Sequence, residues 1–308
     1  MEETISKEEI RKQMQPILEK MIWQKPLNSK ERLIRIAWIS HFNINLDVLK
    51  YYTDKRVLFE IVKHLGNREL IFDKNIRWLY ASKIDSLLFC MTYYQVFEEL
   101  KTFYFSLADY NLRERAPFSR LEKNNWQDNY WTSKNNPEFV KHVKDFSLAF
   151  DFDGETVEEA YKDASKLFDY LNSYKIKFAV WFSGVRGFHF YIPAEEFKAL
   201  INPFSAQNCV LFCQALALDI SDKLKLKTTD TSIYTISRMI KQPFSLDKRN
   251  KKVIFPLSNE EFRNFIKLQD TYTSMNYVLS QPNLGYLGIY RGRESNPEGF
   301  NKLVEDLG

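Results

Sequence analysis

Glycine is scarce in this chain, at nine of 308 residues, about half the usual frequency. A chain with so few glycines keeps them where the backbone turns tightly or where a ligand comes close. Cysteine is scarcer still: Cys90, Cys209 and Cys213 exclude a disulfide framework and point to a reducing compartment. No apolar run approaches the ~18 residues that cross a bilayer. The first residues, Met-Glu-Glu-Thr-Ile-Ser, are acidic and polar and do not read as a secretory signal. The expectation is a cytoplasmic protein with no membrane partner. Zinc-finger spacing is missing among His41, His64, His142, His189 and the three cysteines, so no zinc site is readable. Also missing are a Ser–His–Asp hydrolase elbow, a Walker loop, an internal repeat and a low-complexity linker.

What is present is a core-forming composition, 44% hydrophobic and 16% aromatic. It is enough for one large or two modest domains. The net charge of +4 is small, but its distribution is uneven. Between Lys223 and Lys252 nine Lys or Arg stand against Asp230 and Asp247 alone, which leaves the rest of the chain at −3. A basic segment beside carboxylates suits an anionic partner such as nucleic acid. A solvated basic loop would look the same.

Helical spacing dominates up to about residue 95. Ser6 with Glu9 is a capping-box pattern ahead of Ile10, Met14, Ile17, Leu18 and Met21, with Pro16 weakening the middle. Further helices are expected around 33–39, 46–65 and 82–100. Beyond Lys101 the pattern changes. Phe103–Ser106 reads as a strand, 111–137 as a long polar loop with interleaved basic and aromatic residues, and 146–153 as a strand. That loop either contacts a single strand through phosphates and stacked bases or folds its tryptophans back onto the core. A helix from Thr156 to about Asn172, strands at 177–182 and 188–192, a helix from Gln207 to about Leu224, a late strand at 251–255 and a helix capped by Ser258 and Glu261 complete the reading. The mixture argues for an α+β class.

Three constellations carry chemistry. Asp151 and Asp153 share one side of their strand, roughly 7 Å apart along the backbone, while Phe150 and Phe152 face the other way. Such a pair offers hard oxygens to Mg²⁺ or Mn²⁺, or is simply two solvated aspartates at a strand end. Ser183-Gly184-Val185-Arg186-Gly187-Phe188-His189 joins two strands. Its glycines permit an anion nest, Arg186 is suited to phosphate oxygens, and His189 is placed to donate. An ordinary hairpin turn is the other reading. Asp230 can close a metal site, with Arg238 and Lys241 following; a basic amphipathic segment is the alternative.

Taken together, the three motifs resemble the archaeo-eukaryotic primase superfamily, which includes replicative primase small subunits, PrimPol-like primase-polymerases and the polymerase domains of end-joining ligases. Phe150-Asp151-Phe152-Asp153 is similar to the family's h-D-h-D strand, Ser183–His189 to its S-G-x-R-G-x-H motif, and Asp230 through Lys241 to its third motif. Gln242-Pro243-Phe244-Ser245-Leu246 then resembles the tail of that motif in replicative subunits. The resemblance covers about residues 100–257 and implies an RRM-like catalytic core, a mixed sheet flanked by helices. It implies Asp151, Asp153 and Asp230 as catalytic ligands of two divalent ions, Mg²⁺ or Mn²⁺. Ser183, Gly184, Arg186, Gly187, His189, Arg238 and Lys241 are implied at the bound nucleotide, with Lys241 where an arginine is common. Two departures, the missing zinc knuckle and Asp247 where replicative subunits tend to have His, point toward a stand-alone or mobile-element enzyme. The expected organisation is an N-terminal helical region at 1–98, the catalytic core at 99–257 and a C-terminal helical extension at 258–308. The expected function is a DNA primase-polymerase that takes NTP or dNTP on a single-stranded DNA template and primer. The N-terminal helices are the expected platform for a helicase or another replication, repair or defence partner. A metal-dependent nuclease and a non-catalytic single-strand-binding replication protein are the alternatives.

Overall fold

A computed structural model describes residues 6–110 and 143–308, apart from 75, 80, 283, 285–288 and 292. The 111–137 stretch expected as a long loop, with its basic and aromatic residues, lies outside the described residues. The chain begins with helices α1 (Lys7–Ile22), α2 (Ser29–Phe42), α3 (Leu46–Tyr52) and α4 (Lys55–Leu65). Ser6 caps α1 by accepting from the Glu9 N–H. The helix continues through Pro16 because Met14, Ile17 and Leu18 on its inner face are fully buried, and tertiary burial outweighs the one hydrogen bond that proline removes.

The reading of residues 1 to about 95 as helical holds for five helices and misses one hairpin. A short hairpin, β1 (Leu70–Phe72) and β2 (Ile76–Leu79), precedes α5 (Ile84–Tyr93), and β1 pairs antiparallel with β3 (Phe103–Ser106). The helix expected over 82–100 is confined to α5. The hairpin escaped the sequence reading because Leu70-Ile71-Phe72 is buried on both faces, so its apolar run has no alternation to mark a strand.

Beyond β3 lie β4 (Ala108–Tyr110), β5 (Val143–Phe146), β6 (Leu148–Asp153), α6 (Val157–Ser173), β7 (Ala179–Phe182), β8 (Gly187–Ile192), α7 (Ala206–Leu224) and β9 (Met239–Lys241). The chain ends with α8 (Asn259–Arg263), α9 (Phe265–Tyr272), α10 (Met275–Ser280) and α11 (Pro297–Glu305). Among the described residues three antiparallel sheets result, in orders β2-β1-β3-β9, β4-β5 and β6-β8-β7. They are stitched together at Leu107 and Ser147: the Ser147 N–H donates to the Leu107 carbonyl, and the Leu107 N–H donates to that of Arg238. The strand expected as one run over 146–153 is therefore broken at Ser147. The strand expected at 251–255 is absent; only isolated bridges, Leu246 to Val253 and Trp181 to Pro256, form there. Secondary structure in this α+β chain thus falls into small sheets and short helices.

The β6-β8-β7 sheet positions the candidate site. Phe150, Phe152, Phe188 and Phe190 are fully buried, and the face they form packs against α6, whose Phe168 stacks on Phe262 at 4.2 Å. Burial of each such ring contributes about 2–3 kcal/mol, which fixes the register of β6 and β8. A one-residue slip would expose the whole set. On the opposite face Trp181 and Tyr191 pack on Phe105 of β3, and Tyr191 also meets His64 of α4. The polar residues Asp151 and Asp153 emerge at the end of β6, where this packed interface opens. No helix among the described residues is long and apolar enough to cross a membrane.

Candidate active site

Alternation along β6 turns Asp151 and Asp153 away from the phenylalanine face; Asp151 is partly buried and Asp153 exposed. Pairing with β8 sets Asp151 opposite His189 and Asp153 opposite Gly187. The His189 Nε2 lies 3.1 Å from Asp151 Oδ1. Its Nδ1 lies 3.1 Å from the Trp181 indole nitrogen. An indole N–H only donates, so Nδ1 accepts and the ring proton sits on Nε2, aimed at Asp151. Trp181, fully buried, is an orienting residue that the sequence reading did not single out.

Asp230 comes beside these acids along a third backbone stretch. Its N–H donates to the Asp151 carbonyl at 2.8 Å, and the Asp153 N–H donates to the Thr228 carbonyl at 2.9 Å. Residues 228–230 thus run along the free edge of β6. Asp163 of α6 holds them there. Its Oδ2 accepts from the Lys227 N–H at 2.6 Å and the Thr228 N–H at 3.0 Å, while Oδ1 meets Lys166 at 2.7 Å. Burial pushes the Asp163 carboxyl up, but these donors outweigh it and hold it below the ordinary carboxylate range. The sequence signal for Asp163 was faint: one acid among the polar positions of an amphipathic helix.

Arginines neutralise the acids. Arg238 Nη2 lies 3.2 Å from Asp230 Oδ2 and 3.6 Å from Asp151 Oδ2. Arg186 Nε lies 2.9 Å from Asp153 Oδ1. Burial would raise the Asp151 carboxyl, but His189, Arg238 and Lys241 prevail and leave it below its ordinary value. The Arg238 Nε is buried and finds no partner among the described residues. Asp230 also has a structural task, since its Oδ1 caps the short 3₁₀ turn Thr231–Ile233 by accepting from the Ser232 N–H at 2.8 Å.

Ser183 to Gly187 close the β7–β8 hairpin. The Ser183 N–H donates to the Gly187 carbonyl at 2.8 Å, and the Gly187 N–H donates back to Ser183 Oγ at 3.2 Å. Both glycines have steric reasons to be there. Gly184 has φ +97°, and a Cβ on it would lie 2.9 Å from the Asp247 Cβ; a Cβ on Gly187 would lie 2.0 Å from the Phe152 carbonyl oxygen. Lys241 does not reach outward. Its buried ammonium donates to the Ser183 carbonyl and pairs with Asp247 at 2.6 Å, behind the turn.

Carboxylate oxygens are the donors that hard divalent cations take, and Asp151 and Asp230 already flank one cationic group, the Arg238 guanidinium. The donor chemistry fits Mg²⁺ or Mn²⁺. Even so, no three acids, histidines or cysteines among the described residues stand gathered as a metal cage, and Asp153 is paired with Arg186.

No family model matches the chain, and no curated protein matches it in sequence. Among solved structures it is similar to the polymerase domain of Ligase D from Mycobacterium tuberculosis, solved in complex with DNA. The TM-score is 0.44 and the identity 13%, over 70% of this chain and 82% of that chain. At that distance the likeness is one of loose fold and assigns no residue a role.

Proposed function

We propose that the chain is a DNA primase-polymerase, a nucleotidyltransferase that joins nucleoside triphosphates on a single-stranded DNA template and releases pyrophosphate. One observation carries the reading: Asp230, distant in sequence, is hydrogen-bonded through its backbone to Asp151, while His189 and Arg186 approach the same two β6 acids from the neighbouring hairpin. An acidic edge beside a glycine turn with cationic side chains is what transfer of a phosphoryl group between anionic partners needs.

Asp151, Asp153 and Asp230 would hold the divalent ions, Mg²⁺ or Mn²⁺. Ions so held would supply Lewis-acid chemistry, activating an attacking 3′-hydroxyl and neutralising phosphate charge. The chain's own groups supply the rest. His189 presents its Nε2–H at the acids. Arg186, about half-exposed, is free to exchange Asp153 for a phosphate oxygen once the acid takes another cation. Arg238, about one third exposed, holds its Nη2 between Asp230 and Asp151. Ser183, Gly184 and Gly187 shape the turn. In this reading the catalytic unit falls within residues 99–257, with the 1–98 region a platform for a replication, repair or defence partner and 258–308 an extension.

The test is a labelled primer on a longer single-stranded template, with NTPs or dNTPs and Mg²⁺ or Mn²⁺. Wild type lengthens the strand, and Asp151→Ala and Asp153→Ala do not. Lengthening that survives both substitutions overturns the assignment. Shortened strands point to a nuclease, and metal-independent strand binding without synthesis to a non-catalytic protein.

A further inference from the structure

The Ser183–Gly187 turn is held from behind by three side chains of the basic segment. Lys241 donates to the Ser183 carbonyl, and Asn250 Nδ2 donates to the Gly184 carbonyl. Asp247, fully buried, pairs with Lys241 at 2.6 Å and with Arg249 through Nε at 3.0 Å and Nη2 at 2.8 Å. Its Cβ fills the space that a side chain on Gly184 would take.

Peptide geometry turns these contacts into an orientation. In a trans peptide the C=O and the following N–H point in opposite directions. With the carbonyls of 183 and 184 drawn back toward Lys241 and Asn250, the N–H groups of Gly184 and Val185 point outward. Two successive outward N–H groups make a concavity that attracts anions. Lys241 cannot meet an anion itself: it is 9% exposed and its charge is spent on Asp247. Nor does a buried carboxylate at 247 face a phosphate. Arg249, by contrast, is 57% exposed at its side chain, and Asp247 fixes its guanidinium through Nε and Nη2.

We propose that Lys241, Asp247 and Asn250 are positioning residues that hold the turn with its carbonyls inward and its N–H groups outward, so that the backbone of 184–185, with Arg186 and Arg249, grips the phosphate chain. Lys241 is on this account a lock behind the turn and not a phosphate ligand. The inference rests on the proposed nucleotide site and adds how that site is built. The cluster also gives Asp247 a reason: a carboxylate there serves two cations at once, which a neutral side chain cannot.

The test measures equilibrium binding of inorganic tripolyphosphate and of ATP to the full chain, with amide hydrogen exchange over 183–187 and the KM and kcat of strand extension. The variants are Asn250→Ala, Asp247→Asn and Lys241→Met. Asn250 is exposed, so its loss spares the fold and keeps the test open should the two buried variants misfold. Loss of its single hydrogen bond weakens tripolyphosphate binding about fivefold and raises KM to match, with kcat within about twofold. Asp247→Asn, which leaves the buried Lys241 ammonium without its carboxylate, and Lys241→Met, which removes the donor to the Ser183 carbonyl and leaves Asp247 to Arg249 alone, weaken it more than tenfold. Tripolyphosphate protects the 184–185 amides from exchange in wild type and does so less in Asn250→Ala. If wild type binds tripolyphosphate and Asn250→Ala binds it equally, with equal protection, the lock is refuted while the functional reading stands. Wild type that binds neither tripolyphosphate nor ATP overturns both.

Discussion

Asp163→Ala is the substitution that most sharply couples fold to site. The carboxylate is 5% exposed and accepts from the backbone N–H groups of Lys227 and Thr228 at 2.6 and 3.0 Å. Alanine leaves both donors without their acceptor. An unmet buried donor costs about 1–3 kcal/mol, and hydrogen bonds to charged groups lie at the upper end. Water reaches part of this segment, so the expected loss of stability is about 3 kcal/mol. The effect does not stop at stability. Thr228 and Asp230 bond the β6 backbone at Asp153 and Asp151, so a loosened 227–230 segment carries Asp230 away from its partners. Urea denaturation gives the first quantity, and strand extension at a temperature where both proteins are folded gives the second. The expected result is a cooperative transition at lower urea and an extension rate down at least tenfold. Asp163→Asn, which keeps one acceptor oxygen, falls between. A stability loss under about 1 kcal/mol, or wild-type extension by folded Asp163→Ala, refutes the reasoning.

Two other outcomes follow from particular contacts. Gly187→Ala drives a Cβ to 2.0 Å from the Phe152 carbonyl oxygen, so β6 and β8 must part; the stability measured by urea denaturation should fall by about 3 kcal/mol, and an unchanged transition contradicts the strand register. Glu60, 1% exposed, has its carboxyl pushed up to about 7 by burial, with Lys63 pulling weakly the other way. The fold therefore favours the protonated acid, and wild type loses stability as pH rises from about 4.5 through 7. Glu60→Gln should match wild type near pH 4 and exceed it by about 3 kcal/mol at pH 8, and denaturation curves that stay parallel across that range dismiss the assignment.

Much of the site was legible in the sequence because it obeys local periods. Alternation alone put Asp151 and Asp153 opposite Phe150 and Phe152, and β6 has that arrangement. The helix over 157–173 announced itself through Thr156 and Glu159, and the Thr156 hydroxyl does accept from the Glu159 N–H. The rest depends on contacts between segments far apart in the chain. Nothing local to Asp163 shows that it anchors residues more than sixty positions away. Nothing local to Lys241 shows that it turns inward to Asp247 and the Ser183 carbonyl, away from solvent. The 70–79 hairpin was missed because a strand buried on both faces has no period of two to read. The 251–255 strand was expected from apolar residues that in fact fill the core as irregular chain: Val253, Ile254 and Phe255 are buried there, and the Val253 and Ile254 N–H groups donate to the separate carbonyls of Thr273 and Ser245 with no continuous ladder.

The central claim is that Asp230 completes an acidic site for nucleotidyl transfer, and Asp230→Asn isolates it. Asparagine caps a helical turn about as well as aspartate, so the 3₁₀ turn at Thr231–Ile233 survives while the charge beside Asp151 and Arg238 is lost. The measurement is metal-dependent lengthening of a labelled primer by wild type and by Asp230→Asn of matched melting temperature. Lengthening by wild type and at least a hundredfold loss in the variant are expected. Lengthening by Asp230→Asn at the wild-type rate would contradict the claim.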